Sequence, residues 1–299
     1  MSIAHYLKAH DKDLGGGFTV RRLLPAAAMQ SVGPFIFFDH FGPIDADAAA
    51  NHDVRPHPHI GLATVTYLYE GAMMHRDSVG SVQRIEPGAV NWMTAGSGIV
   101  HSERTPADLL GKPRRSHGLQ LWAALPQAHE EVAPSFSHTP AVDIPTVALD
   151  GASVRVLIGS AFGRSSPVPT FSETLYLDIA LEDCAEVLLT DLPQQAALYV
   201  VQGTLLVDGA ALAPATMAVL EEGRAAGSST RLRAVGSVKL VVIGGAPLDG
   251  PRYIFWNFVS SSKERLAQAA DDWEQQRYAM VPGETEFIPL PKMVAKPLR

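Results

Sequence analysis

The chain of 299 residues has almost no cysteine: Cys184 stands alone. A single thiol excludes an intrachain disulfide and every zinc-finger pattern. Long apolar runs are missing too. None approaches the ~20 residues that cross a bilayer as a helix, and the opening Met-Ser-Ile-Ala-His-Tyr-Leu-Lys lacks the apolar core and cleavage site of a secretory signal. The expectation is a soluble protein of a reducing compartment, the cytoplasm. There is no basic excess either. A formal net charge of -7 gives no footprint for nucleic acid or an anionic membrane, and Lys112-Pro-Arg114-Arg115 and Arg231-Leu-Arg233 are too short to supply one. Finally, histidine is absent after His138. All eleven histidines lie at or before that position, so imidazole chemistry belongs to the first half of the chain.

What is present concentrates between Val54 and Arg104. This stretch opens with Arg-Pro-His57-Pro-His59-Ile-Gly and closes with Ala-Gly-Ser-Gly-Ile-Val-His101-Ser-Glu103. In a strand, residues i and i+2 share a face and lie roughly 6.5 Å apart. His57 with His59, and His101 with Glu103, are therefore two pincers. A helical metal motif would need i, i+4 spacing, and Pro58 argues against a helix there. If the two strands lie side by side with these faces inward, three imidazoles and one carboxylate converge on a metal site. A buried, hydrogen-bonded polar cluster is the plainer alternative. Without sulfur, the donor set suits Fe(II), Mn, Ni, Co or Zn, and on an octahedral ion four protein ligands leave two positions open.

Short β-branched or aromatic segments bounded by Gly and Pro recur throughout. They include 18–25, 34–39, 63–69, 89–94, 117–125 and 175–181, and their spacing predicts an all-β barrel or sandwich. Tyr67-Leu-Tyr-Glu-Gly71 is echoed by Tyr199-Val-Val-Gln-Gly203, which marks an internal repeat. Carried across, its register places Leu189 and Asp191 where His57 and His59 stand, so the second copy loses the ligands. Residues 262–277 contain good helix formers after a Ser262 cap and predict one helix on the outside of a barrel. Trp92 and Met93 are most simply core, and Met73 and Trp92 are the candidates for lining a substrate pocket. His40 and His75 are read as core or loop residues, or as neighbours of the site. His52, His117, His129 and His138 read as surface or linker residues.

Together these features resemble the cupin superfamily and, in their wording, the pirin family within it. The residues that carry the resemblance are Phe35-Ile-Phe-Phe-Asp-His-Phe-Gly-Pro43, Arg55-Pro-His-Pro-His-Ile-Gly61, Val65-Thr-Tyr-Leu-Tyr-Glu-Gly71, Asn91-Trp-Met-Thr-Ala-Gly-Ser-Gly-Ile-Val-His-Ser-Glu103 and Gly118-Leu-Gln-Leu-Trp122. The resemblance implies two tandem cupin (jelly-roll) barrels with a short C-terminal helix. On that pattern residues 1–135 form the metal-binding barrel and 136–145 a linker. Residues 146–299 form a cupin-like barrel without metal ligands, including helix 262–277 and an extended tail. It further implies one divalent metal, Fe(II) first, on the equivalents of His57, His59, His101 and Glu103. The glutamate that cupins carry shortly after His-x-His is absent, with Ala63 and Thr64 near its place, so the carboxylate role falls to Glu103.

Two functions follow from the resemblance. One is a quercetin 2,3-dioxygenase-type enzyme, in which a small aromatic substrate and O2 meet at the metal and Glu103 acts as general base. The other is a non-enzymatic, metal- or redox-sensing regulator that binds a protein partner. A zinc cupin isomerase acting on a sugar phosphate lacks an evident phosphate-binding cluster.

Overall fold

The structure is a computed structural model and describes residues 3–14, 18–223 and 228–291. Apart from short 3-10 turns it is built of strands, with one α-helix among the described residues. No helix among them is long and apolar enough to cross a membrane.

Contacts divide the chain into two units that are not its two contiguous halves. One unit takes Thr19–His40 and Thr139–Pro247 together with the N-terminal strands, whereas the other takes Phe41–His138 and the segment from Leu248 onward. The expected division at 136–145 therefore differs from the contact units at both ends. The chain between Ser135 and Thr139, expected to begin the linker, is a strand.

The first unit holds a nine-stranded sheet. Seven of its strands run in the order Ile3–Lys8, Thr216–Leu220, Gln195–Val207, Ser229–Gly245, Thr174–Leu181, Ala152–Ile158 and Thr146–Leu149, and Ala210–Leu212 and Glu186–Thr190 pair off this path with Gln195–Val207 and Ser229–Gly245. The long strand Ser229–Gly245 pairs with Glu186–Thr190 through its first residues and with Thr174–Leu181 through its last, so one sheet serves two layers. Alternating aliphatics such as Leu175, Leu177, Ile179 and Leu181 point into one core with Leu198, Val200, Leu240 and Val242. Leu189 is buried in that core and Asp191 is exposed in a turn. Of the two positions matching His57 and His59 in the repeat register, one is thus filled by an aliphatic side chain and the other lies outside the core.

Besides the two-stranded pair Tyr253–Phe255 and Phe258–Ser260, the second unit carries strands of two larger sheets. In one, Ser135–Thr139, Val90–Thr94, Leu62–Glu70 and Arg114–Ala124 are neighbours in that order. The other has the order Val54–His59, Ile99–Arg104, Met73–Asp77 and Val82–Ile85. The repeat is visible in the backbone. Gly71 and Gly203 both take a positive φ, +88° and +85°, and a Cβ at either would run into the carbonyl of a neighbouring strand, Arg115 or Ser237.

The helix Lys263–Glu274 starts at Ser262, whose Oγ accepts from the Arg265 backbone N–H at 3.2 Å. Its Leu266, Ala269 and Trp273 lie on one face and pack with Ile60, Val100, Phe258 and Val281. Ile60 follows His59 and Val100 precedes His101, so the helix backs the pincer strands. It belongs to their unit, not to the C-terminal barrel in which it was expected.

Candidate metal centre

The strands Val54–His59 and Ile99–Arg104 pair antiparallel, with His101 opposite His57 and Ile99 opposite His59. Pro56 and Pro58 withhold two backbone donors, which is tolerable because their strand lies at the edge of its sheet. The ladder slips between the pincers: Glu103 pairs with Val54, where regular pairing would give Arg55. A bulge with the extra residue on the proline-bearing strand re-aims what stands beside it.

One nitrogen each of His57, His59 and His101 lies within 4.8 Å of the others, and all three residues are buried. The Nε2 atoms of His59 and His101 are 3.1 Å apart. Nδ1 of His57 donates to the Arg55 carbonyl at 2.9 Å, which frees its Nε2 lone pair. Burial pushes His57 down to about 4, against a smaller upward pull from the Arg55 carbonyl. Burial and the neighbouring His57 hold His59 well below its usual value, and burial with the surrounding imidazoles does the same for His101. All three are therefore neutral at pH 7, with lone pairs available.

This donor set fits a divalent metal. Two nitrogens about 2.1 Å from one ion lie about 3.0 Å apart at a right angle and about 3.4 Å apart at the tetrahedral angle. The 3.1 Å between Nε2 of His59 and Nε2 of His101 falls in that range, so both can reach one ion. Glu103 does not join the 4.8 Å set, and it lies beyond the point where the ladder with the His57 strand slips. Its carboxyl is pushed up to about 7 by desolvation.

Glu103 lines a narrow cleft of about 40 Å³ with Phe18, Phe41, His52, Met73 and Arg114. Of the two candidates for lining a pocket, Met73 lines this cleft and Trp92 does not. Trp92 is core, 3 % exposed, and its indole N–H donates to Thr94 two residues along the same face at 3.0 Å. His52 lines the cleft and His117 is buried, its ring 4.9 Å from that of Tyr69; both had read as surface or linker residues. His40, one of the two uncertain histidines, lies in the other unit, where its Nδ1 is 2.7 Å from the Tyr199 hydroxyl. His75 lies beside the centre, with Nδ1 3.4 Å from Nδ1 of His101. Trp122, 5.2 Å from the His59 ring, was not anticipated as a neighbour. Its signal in the sequence was its place in Gly118-Leu-Gln-Leu-Trp122, one of the segments that carry the resemblance.

Two cupin barrels, one lined by histidines and one filled with aliphatic side chains, define the class. The assignment narrows with the match of residues 17–123 to the pirin family model and of 176–279 to the model of the pirin C-terminal cupin domain. The chain belongs to the pirin family. It is 45% identical over 289 residues to a pirin-like protein of Caulobacter vibrioides, covering 95% of this chain and 98% of that one. Mouse pirin is 32% identical over 276 residues, covering 90% of this chain and 91% of its own. The crystal structure of quercetin 2,3-dioxygenase from Acinetobacter baumannii superposes with a TM-score of 0.90 at 31% identity, covering 98% of this chain and 97% of that one.

Proposed function

We propose that this protein is a metal-dependent dioxygenase that opens the ring of a flavonol-like substrate, with Fe(II) on His57, His59 and His101 and with Glu103 in or beside the coordination sphere. The observation that carries the proposal is a cluster of three buried neutral imidazoles with Glu103, two residues beyond His101 on its strand, lining a cleft. A similar protein of the same fold is named a quercetin 2,3-dioxygenase. The bound ion would supply Lewis acidity toward an enolisable hydroxyl and a route for electrons from substrate to O2.

The chain's own part is binding and proton transfer. Glu103 accepts the proton of the substrate hydroxyl, and a carboxyl at about 7 is a stronger base than an ordinary one while remaining partly ionised at neutral pH. Phe18, Phe41 and Met73 give the ring an apolar wall. The cleft of about 40 Å³ is far below the ~300 Å³ at which small-molecule pockets begin, so substrate entry requires side chains to move. Met73, unbranched and pliable, is placed to do so.

The test is metal analysis after anaerobic purification, then O2 uptake with quercetin. Wild type is expected to carry metal and consume O2. His101→Ala is expected to lose both, and Glu103→Gln to keep most of the metal but lose about 10²- to 10⁴-fold in rate. Stoichiometric metal with no uptake would sink the enzymatic reading and favour a metal-sensing regulator that binds a protein.

A further inference from the structure

Beside the two pincers stands a third pair at the same spacing, His75-x-Asp77, on the strand Met73–Asp77. That strand pairs with Ile99–Arg104 on the side away from His57, so that Asp77 is opposite His101 and His75 opposite Glu103. Paired residues share a face of the sheet. Both are buried, His75 at 5 % exposure and Asp77 at 0 %.

Their hydrogen bonds follow from the metal site. If His101 binds an ion through Nε2, the nitrogen facing His59, its hydrogen is on Nδ1 and must be donated. The group it faces is Nδ1 of His75, at 3.4 Å. To accept, His75 must carry its own hydrogen on Nε2. That atom is 2.8 Å from Oδ2 of Asp77, where a carboxylate accepts it. Oδ1 of Asp77 accepts from the backbone N–H groups of Val79 and Ser81 at 3.1 and 2.9 Å, which anchors the carboxylate. Phe136 stacks on the His75 ring, with centroids 4.2 Å apart and planes 14° apart, and fixes its orientation. Each hydrogen in the chain has one donor and one acceptor.

We propose that His75 and Asp77 are positioning residues for the metal. Acting in series, they set the tautomer and ring orientation of His101 so that its Nε2 lone pair is presented to the ion. Partners of this kind are typically worth 10- to 100-fold in metal affinity. The inference rests on the metal reading above and concerns how the ion is held.

The nearly isosteric Asp77→Asn separates this role from packing. Its carbonyl oxygen continues to accept from Val79 and Ser81, while its amide presents hydrogens to Nε2 of His75. The His75 hydrogen is then driven to Nδ1, and two donors face each other at the His75–His101 contact. The measurement is Co(II) affinity by chelator competition, read from the ligand-field absorption of the protein–cobalt complex, with the melting temperature of each metal-free protein alongside.

D77N and H75F are each expected to weaken Co(II) binding about 10- to 100-fold. H75F/D77N should bind no more weakly than H75F alone, because Asp77 acts through His75. H75Q, able to accept from His101 and donate to Asp77 at once, should recover most of the affinity even if H75F fails to fold. Unchanged affinity in D77N would overturn the inference, as would losses in the two single variants that simply add. Failure of the wild type to bind Co(II) would instead overturn the metal reading itself, a result distinct from either.

Discussion

His57, His59 and His101 are unusual in being held neutral by burial. Their folded-state values lie below that of an exposed imidazole, so the unfolded chain binds protons that the metal-free folded chain cannot. In metal-free protein the stability these three contribute is fully present above about pH 6.5 and lost as pH falls toward 4, while Glu103, raised to about 7, works in the opposite direction over the same range. His57 alone is worth about 3 kcal/mol over that window. Denaturant melts of chelated Glu103→Gln, which lacks the opposing carboxyl, at pH 7 and pH 5 check this, and equal midpoints would refute it. These residues were legible in the sequence because period 2 is a strict geometric rule. The offset of Glu103 was not. It lies beyond a slip in the pairing of two strands, and pairing register cannot be read from either strand alone. His75 was left undecided between core and site for the same reason.

At the scale of elements, both pincer strands are braced from behind by chain that is distant in sequence. The helix packs Trp273 and Leu266 with Ile60 and Val100, and Trp273 donates its indole N–H to the Ile288 carbonyl at 3.0 Å. The tail beyond the helix is bonded to both strands. The Ile288 N–H donates to the Pro56 carbonyl at 2.8 Å, and Glu284 accepts from the Ser102 hydroxyl and the Arg104 guanidinium. Burial pushes the Glu284 carboxyl up, but the Arg104 and Ser102 hydrogen bonds, with the charges of Arg104 and Arg76, outweigh it and leave a net depression. A depressed folded-state value means that the tail contact is favoured above the usual carboxylate range and weakens as pH falls below it. Glu284→Gln removes the charge at pH 7. It should speed chymotryptic cleavage after Phe287, an exposed residue of the tail, and no change in cleavage rate would show that the contact does not secure the tail. The helix and its cap were legible from Ser262 and the helix formers that follow. Its docking site was not, because an apolar stripe specifies that it must be covered but not by what.

For the whole molecule, the division of labour between barrels predicts one metal per chain. Among the described residues only His57, His59 and His101 form a cluster able to hold an ion, and the core containing Leu189 is aliphatic. Metal analysis of the intact protein should give a stoichiometry near one and near zero for His101→Ala, and a value near two would disprove the assignment. The sequence by itself determined the strand-rich architecture, the duplication, the histidines that converge and the barrel that lacks them. Each of these rests on local rules: alternation, turn residues, spacing and composition. Tertiary structure decided the rest. It assigned the helix and tail to the metal-binding unit, set Glu103 apart from the three histidines and brought His75 and Asp77 against His101. Those outcomes depend on strand register and on which apolar face covers which, and such long-range choices are made only when the chain is packed.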